Sequence, residues 1–288
     1  MKTGLVLEGG GMRGLFTAGV MDVMMEHGIR FDGIVGVSAG ATFGCNYKSH
    51  QIGRVLRYNV RFKDDPRYMG LRSLLRTGDL VGAEFSYHTL PNELDVFDFD
   101  AYNRDASEFH VVCTDVLTGE PVYHRLDKMD DEGLEWIRAS ASMPLVSRPV
   151  SLDGRLLLDG GISDSIPLRY FQRQGFERNL VILTQPKGFF KKRTKLMPLF
   201  RLFMRRYPAI VQAMSRRHLM YNEELSYLEE QERQGNILLI YPQDILPIGR
   251  TEQDERKMRR VYAMGREKAE EMLPTIQAFV NASQHNEN

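Results

Sequence analysis

Three short stretches of this chain hold residue types at spacings that can do chemistry. Gly36-Val37-Ser38-Ala39-Gly40 has the form G-x-S-x-G. In that arrangement a serine sits on a tight strand-to-helix turn, and its flanking glycines let neighbouring backbone approach closely. The helix that follows aims its free N–H groups and the positive end of its dipole at the serine, which favours negative charge there. Five letters often arise by chance, but here they overlap the apolar run Ile34-Val35-Gly36-Val37 and precede a small-residue helix start. The second stretch, Gly9-Gly10-Gly11-Met12-Arg13-Gly14, follows the apolar Leu5-Val6-Leu7. Gly9, Gly11 and Gly14 satisfy the dinucleotide pattern G-x-G-x-x-G, which expects an acid at the end of the second strand to hold a ribose. The acid present, Asp32, precedes that strand and Ser38 occupies its end, so a nicotinamide site is disfavoured. Consecutive glycines can instead turn several N–H groups toward one point, as an oxyanion hole does. The plainer alternative is a tight turn for close strand–helix packing.

A serine nucleophile needs a base. The seven histidines are His27, His50, His88, His110, His124, His218 and His285, and none lies at a strand end with turn chemistry around it. Each reads as a surface or structural histidine. Asp159 differs: it ends the run Leu156-Leu157-Leu158 and is followed by Gly160 and Gly161. That is the kind of strand edge where α/β active sites assemble. An aspartate there can accept the serine proton directly if it lies within hydrogen-bond reach. The plainer reading is a turn aspartate, since Asp-Gly is a common turn pair.

The elements that must position these residues are legible as strand, glycine turn, helix (Leu15 to Met25), strand, turn and helix, the signature of a parallel α/β sheet. Phe109–Thr114 and Pro121–Arg125 read as paired strands around Thr118-Gly119, and Glu132–Ala141 as a helix. Arg155–Leu158, Leu180–Thr184 and Ile237–Tyr241 read as further strands, and Glu252–Phe279 as a charged amphipathic helix or helix pair that closes the domain. Residues 62–107 carry turn signals at Pro66, Gly70, Gly78, Gly82 and Pro91, and read as an irregular excursion with short helices, a candidate lid. The expected organisation is a core over 1–185, a segment 186–282 that completes the same domain, and a frayed tail over 283–288.

Composition excludes several classes. The 288 residues carry 38 basic and 38 acidic side chains, so neither a globally basic nucleic-acid binder nor an acidic tail is expected. Hydrophobic content of 42% is that of a folded globular chain. Cys45 and Cys113 make neither a disulfide framework nor a structural zinc site, and read as small buried hydrophobes. No run approaches the roughly 18 apolar residues of a spanning helix. The first apolar stretch stops after three residues, too short for a signal peptide, so the expected location is cytoplasmic. Residues 186–218 hold ten basic side chains and no acidic one, interleaved with Phe189, Phe190, Leu199, Phe200 and Phe203. They read either as a peripheral contact with anionic lipid at the inner membrane surface, or as a helical pair packing its apolar face on the core.

Together the three motifs resemble the patatin-like phospholipase family, over about residues 3–185. The resemblance includes Arg13 in the glycine loop, Ala139-Ser140-Ala141-Ser142-Met143-Pro144 upstream of Asp159, and Asp164-Ser165-Ile166-Pro167 after it. It implies a three-layer α/β/α sandwich with a largely parallel central sheet. It also implies hydrolysis of lipid acyl esters by a Ser38–Asp159 dyad, without histidine, metal or cofactor. The amides of Gly10, Gly11 and Met12 would form the oxyanion hole, with Arg13 steadying the loop. Glu8 stands where the family often has Asp, a conservative departure. The competing readings are an acyl-binding protein of the same fold with little turnover, and a hydrolase with a histidine-containing triad.

Overall fold

Side chains of a strand point alternately to its two faces, and strands buried on both faces belong to a sheet covered on each side. In β1 (Lys2–Leu7) every residue after Lys2 is buried, as is every residue of β2 (Gly33–Val37). Leu5, Leu7 and Ile34 enter one core cluster, whereas Val6, Val35 and Val37 enter another. The computed structural model, which describes residues 1–284, shows the sheet that this pattern demands. Its path runs β5 (Val150–Leu152), β6 (Arg155–Asp159), β3 (Glu108–Asp115), β2, β1, β7 (Phe176–Ile182) and β8 (Ile237–Ile240), with β4 (Pro121–Arg125) attached to β3. The strands from β3 to β8 along this path are parallel, while β4 and β6 run antiparallel to β3, and β5 antiparallel to β6.

Helices α1 (Gly14–Glu26), α2 (Ala39–Lys48) and α10 (Glu255–Gln284) share a core with one face of the sheet. Helices α7 (Leu168–Arg173) and α9 (Pro208–Arg233) share a core with the other. The result is a three-layer α/β/α sandwich. Both cysteines are buried and free. Among the described residues no helix is long and apolar enough to cross a membrane.

Three expectations change in detail. The excursion over 62–107 contains α4 (Leu71–Thr77), a π-helical stretch Phe85–Leu94 and α5 (Phe99–Arg104). It buries Phe62, Tyr68, Phe85, Tyr87 and Phe97 in the main core, so its polar residues are the outer skin of a packed wall. The boundary at residue 218 falls inside α9, whose buried Ile210, Met214, Tyr221 and Leu228 form too narrow an apolar stripe to stand out in a charged stretch. The closing helix is one helix through Pro274, ending at Gln284. Of the expected tail, residues 285–288 lie outside the described residues.

Asp22 ties α1 to its neighbours. Its Oδ2 accepts Gly53 N–H (3.0 Å), just before α3 (Arg54–Arg61), and the hydroxyl of Tyr262 on α10 (2.5 Å). Nearby, Arg266 of α10 clamps Glu26 of α1 with two hydrogen bonds. Burial pushes Asp22 up from 3.8 to about 6, against the pull of both hydrogen bonds. Folding therefore favours the neutral acid, and that contribution is full below pH 4 and lost as pH rises through 6. Ionised Asp22 at pH 8 costs the fold on the order of 3 kcal/mol. An Asn oxygen can accept the same two bonds without a charge, so Asp22→Asn is expected to exceed wild type in urea-unfolding stability by about 1–3 kcal/mol at pH 8. The gap should close at pH 4; a gap of equal size at both pH values would show that Asp22 ionisation is not its cause.

Candidate active site

The site is assembled on β3. Residues 108–112 of β3 pair with β2 and residues 110–114 with β4, so β2 and β4 lie on opposite edges. Residues 113–115 pair with β6, and since 113 and 114 already have β4 on one edge, β6 shares the other edge with β2. β2 ends at Val37 opposite Val112, and the oppositely running β6 ends at Asp159 opposite Cys113. The two strands meet end to end. Ser38, the residue after β2, and Asp159, the last of β6, both line the same cavity of about 940 Å³.

Ser38 turns the chain from β2 into α2 with φ 56° and ψ −122°. A residue other than glycine in such a conformation costs about 1–3 kcal/mol and must be held by its surroundings. Its N–H donates to Ser140 Oγ (2.9 Å), whose own hydroxyl donates to the Val112 carbonyl (2.7 Å). Ser140 closes α6 (Asp131–Ser140) and is fully buried. The Ser38 carbonyl accepts from Thr42 Oγ1 (3.2 Å), one turn into α2. Gly36 lies inside β2, and Gly40 lets α2 press on β1, because a Cβ at residue 40 would stand 2.3 Å from the Leu7 carbonyl oxygen.

Asp159 is buried, and its Oδ1 accepts Gly161 N–H (2.8 Å). Its Oδ2 is buried with no hydrogen-bond partner among the described residues. Burial raises its pKa; the Ser38 hydroxyl, the Arg217 guanidinium, Gly161 N–H and Arg250 act against that rise. The serine is thus near enough to favour the carboxylate, without a well-aligned hydrogen bond between the two. Gly160 and Gly161 form a short turn after Asp159, and the Gly161 carbonyl accepts from Ser165 Oγ (2.9 Å) and from Arg217 Nε of α9.

The glycine loop faces the same cavity. The Gly9 carbonyl accepts from Thr184 Oγ1 (3.2 Å), and the Gly10 carbonyl from Arg13 Nε (3.4 Å). Gly11 has φ +59°, and a Cβ there would lie 2.4 Å from the Arg250 carbonyl oxygen. Gly14 opens α1. One expectation needs correction: Met12 N–H donates to that Arg250 carbonyl (3.0 Å) and is not available to an oxyanion. The loop motif gave no warning, because its partner lies in the distant segment after β8. Among the described residues the amides of Gly10 and Gly11 donate to no other group. Glu8 is buried beneath, accepting Thr184 N–H (2.6 Å) and the Tyr221 hydroxyl (2.6 Å).

Most of the histidines are engaged elsewhere. His110 sits between Tyr170 Oη (2.8 Å) and Glu108 (3.1 Å), and His124 stacks on Trp136. His50 meets Asp105 and His88 meets Glu135, both at 2.9 Å, and His27 is exposed. His285 lies outside the described residues. His218 lines the cavity, with a buried Nδ1 that has no hydrogen-bond partner among the described residues. Among those residues no group of three or more His, Cys, Asp or Glu could hold a metal ion. Sequence reasoning missed Ser140, Arg217, Arg250 and Tyr221 as parts of the site. Ser140 alone had a signal, the stretch around it upstream of Asp159. Ser140→Ala would strand the Ser38 N–H in a buried setting, an expected loss of about 1–3 kcal/mol in urea unfolding. A variant as stable as wild type would show that the Ser38 turn does not depend on Ser140.

Comparison with known proteins follows the same geography. The patatin-like phospholipase family model matches residues 5–171, and a domain of unknown function, DUF6363, matches residues 207–281. The uncharacterised protein YjjU of Escherichia coli is 35% identical over 197 residues, covering 66% of this chain and 54% of its own. The NTE family protein Rv1063c of Mycobacterium tuberculosis is 32% identical over 167 residues, covering 58% and 44%. Lysophospholipase NTE1 of Lodderomyces elongisporus is 30% identical over 179 residues, covering 60% and 12%. The chain therefore spans about half, or less, of the length of these curated relatives. With more than half of its length, all three glycine-bearing motifs among it, matched by one family model, the chain belongs to the patatin-like phospholipase family.

Proposed function

We propose that this protein hydrolyses carboxylic esters of lipids through an acyl-enzyme on Ser38, with Asp159 as general base. The observation that carries this reading is the buried Asp159 carboxyl, on which the Ser38 hydroxyl acts and whose Oδ2 has no hydrogen-bond partner among the described residues. Ser38 Oγ attacks the ester carbonyl carbon as its proton passes to Asp159. The carbonyl oxygen becomes an oxyanion held by Gly10 and Gly11 N–H groups and by the N-terminal dipole of α2. Collapse breaks the ester C–O bond, and Asp159 returns the proton to the leaving alcohol. Water then attacks the acyl-serine carbonyl as it gives a proton to Asp159; the bond to Ser38 Oγ breaks, Asp159 returns that proton to Oγ, and the fatty acid leaves. Burial suits Asp159 to this work, because a base whose pKa lies nearer the working pH takes a hydroxyl proton more readily. The acyl chain would lie along apolar cavity wall such as Tyr58, Met69, Leu80, Leu90, Phe97 and Ile137.

Access from a lipid surface fits the 186–218 segment. Helix α8 (Met197–Phe203) buries Met197 and Phe200 yet leaves Leu199, Leu202 and Phe203 exposed, next to exposed Phe190 and Leu196. Leu196 and Leu199 also line the cavity, so an apolar rim with exposed Lys192, Arg193, Lys195 and Arg201 around it borders the entrance. Such a rim suits anionic headgroups over an apolar interface. Lys191 does not belong to it, since its Nζ lies over the Tyr221 ring, 3.5 Å from the centroid.

Ser38→Ala and Asp159→Asn are expected to reduce p-nitrophenyl ester hydrolysis by about 10³-fold or more while folding is retained. A fluorophosphonate probe should label wild type and not Ser38→Ala, and His218→Ala should keep most of the activity. Retained activity in Asp159→Asn, or its collapse in His218→Ala, would return the base to a histidine. The ionised Asp159 is the active form and its pKa is raised, so kcat/KM should fall as pH drops through a limb above ordinary carboxylate values. A profile flat down to the unfolding pH would exclude Asp159 as base. For the rim, the pair Lys192→Glu/Arg193→Glu should cut co-sedimentation with phosphatidylglycerol vesicles by roughly tenfold; unchanged binding would remove the lipid-surface role.

A further inference from the structure

Helix α9 carries polar side chains at positions 217, 221 and 224, which share one face of a helix. All three reach the motif segments. Arg217 Nε donates to the Gly161 carbonyl, the Tyr221 hydroxyl donates to Glu8 just before the glycine loop (2.6 Å), and Glu224 Oε1 accepts the Ser165 N–H (3.0 Å). These residues belong to the segment 207–281, outside the stretch that carries the family motifs. The first contact bears on the base. Gly161 joins the two side chains: its N–H donates to Asp159 Oδ1 (2.8 Å), and its carbonyl accepts from Arg217. A Cβ at Gly161 would stand 3.1 Å from Asp159 Oδ1 and 3.2 Å from Arg217 Nη2, so carboxyl and guanidinium flank one backbone point. They lie within the roughly 6 Å over which an opposite charge favours ionisation.

The titratable and charged groups that act around Asp159 are Ser38 at the head of α2, Tyr87 of the π-helical stretch, Cys113 on β3, Arg217 on α9 and Arg250 after β8. Burial pushes the Tyr87 hydroxyl up to about 12 and the Cys113 thiol well up, so both are neutral at pH 7. The charges are those of the two arginines. Arg250 is exposed and Arg217 half-buried, so solvent screens Arg217 less. We propose that Arg217 is a positioning residue for Asp159: through Gly161 it fixes the turn that carries the carboxyl, and its charge keeps that carboxyl in the form that takes a proton. The segment 207–281 thereby completes the site. The consequence for catalysis rests on the hydrolase reading above; the hold of Arg217 on the Asp159 carboxyl does not.

Two variants separate the charge from the hydrogen bond. Arg217→Gln keeps a donor without charge, and Arg217→Lys keeps both. In either, the Gly161 carbonyl retains the Ser165 hydroxyl. Carbon-13 NMR of aspartate-labelled protein follows the Asp159 carboxyl, assigned by its loss in Asp159→Asn. In Arg217→Gln its midpoint should rise by about one pH unit, a tenfold gain in proton affinity, and in Arg217→Lys by less than about 0.3 unit. An unmoved midpoint in Arg217→Gln, or an equal rise in Arg217→Lys, would overturn the proposal. If Arg217→Gln does not fold, wild type still decides. Its Arg217 Nε–H resonance should shift with pH through the Asp159 midpoint and stay still in Asp159→Asn; a resonance unmoved through that midpoint would overturn the hold. In turnover of p-nitrophenyl butyrate, the acid limb of kcat/KM should move up by the same amount in Arg217→Gln. A lower kcat with the limb unmoved would mark a merely structural role. A wild type that hydrolyses no ester, with the NMR midpoint still raised in Arg217→Gln, would sink the hydrolase reading and leave the hold of Arg217 on Asp159 standing.

Discussion

Two strands share one edge of β3, and where they meet neither can continue. β2 arrives from one direction and β6 from the other, so the chain must leave the sheet at both ends. The first departure is the strained turn at Ser38, and the second is the Asp159–Gly161 turn. Ser140 stitches the gap, receiving the Ser38 N–H and giving its own proton to Val112 of β3. Sheet register thus brings a hydroxyl and a carboxyl together, with no long loop needed to do so. The junction lines the cavity, with Ser38 half-buried and Asp159 and Ser140 buried behind it, where their polar atoms need partners within the protein.

That burial explains the chemistry available. Asp159 has one oxygen held by a backbone amide and one left over, in a setting that resists its charge. Its neighbours Arg217 and Arg250 moderate the resistance without forming ion pairs with it. Burial raises the pKa of this carboxyl, and the groups around it act against that rise. The strained Ser38 turn is affordable because Ser140, Thr42 and the close contact of Gly40 with Leu7 overdetermine it.

The C-terminal part of the chain is structural to this arrangement. β8 extends the sheet beyond β7, α10 packs on α1, and α9 carries both Arg217 and Tyr221. The segment after β8 supplies the Arg250 carbonyl that pins the glycine loop through Met12. The motifs of the family thus lie in 5–171, while several of the groups that set their electrostatics lie beyond it.

The sequence by itself determined the short-range features: the strand–turn–helix at Gly36–Gly40, the glycine loop, the Asp159-Gly160-Gly161 turn, and the succession of elements of a parallel α/β sheet. Each rests on backbone conformation and side-chain alternation, which act over a few residues and leave their mark in neighbouring letters. Only the tertiary structure decided which amides remain free, since the donor at Met12 is consumed by a carbonyl remote in sequence. It likewise placed Lys191 over Tyr221 while its neighbours Lys192 and Arg193 stayed exposed, although the three read as one basic run. It also left His218 in the cavity, its Nδ1 without a hydrogen-bond partner among the described residues. Such outcomes depend on where distant segments dock. Docking is set by the summed burial of whole helix and strand faces, so no single stretch of the chain carries its signature.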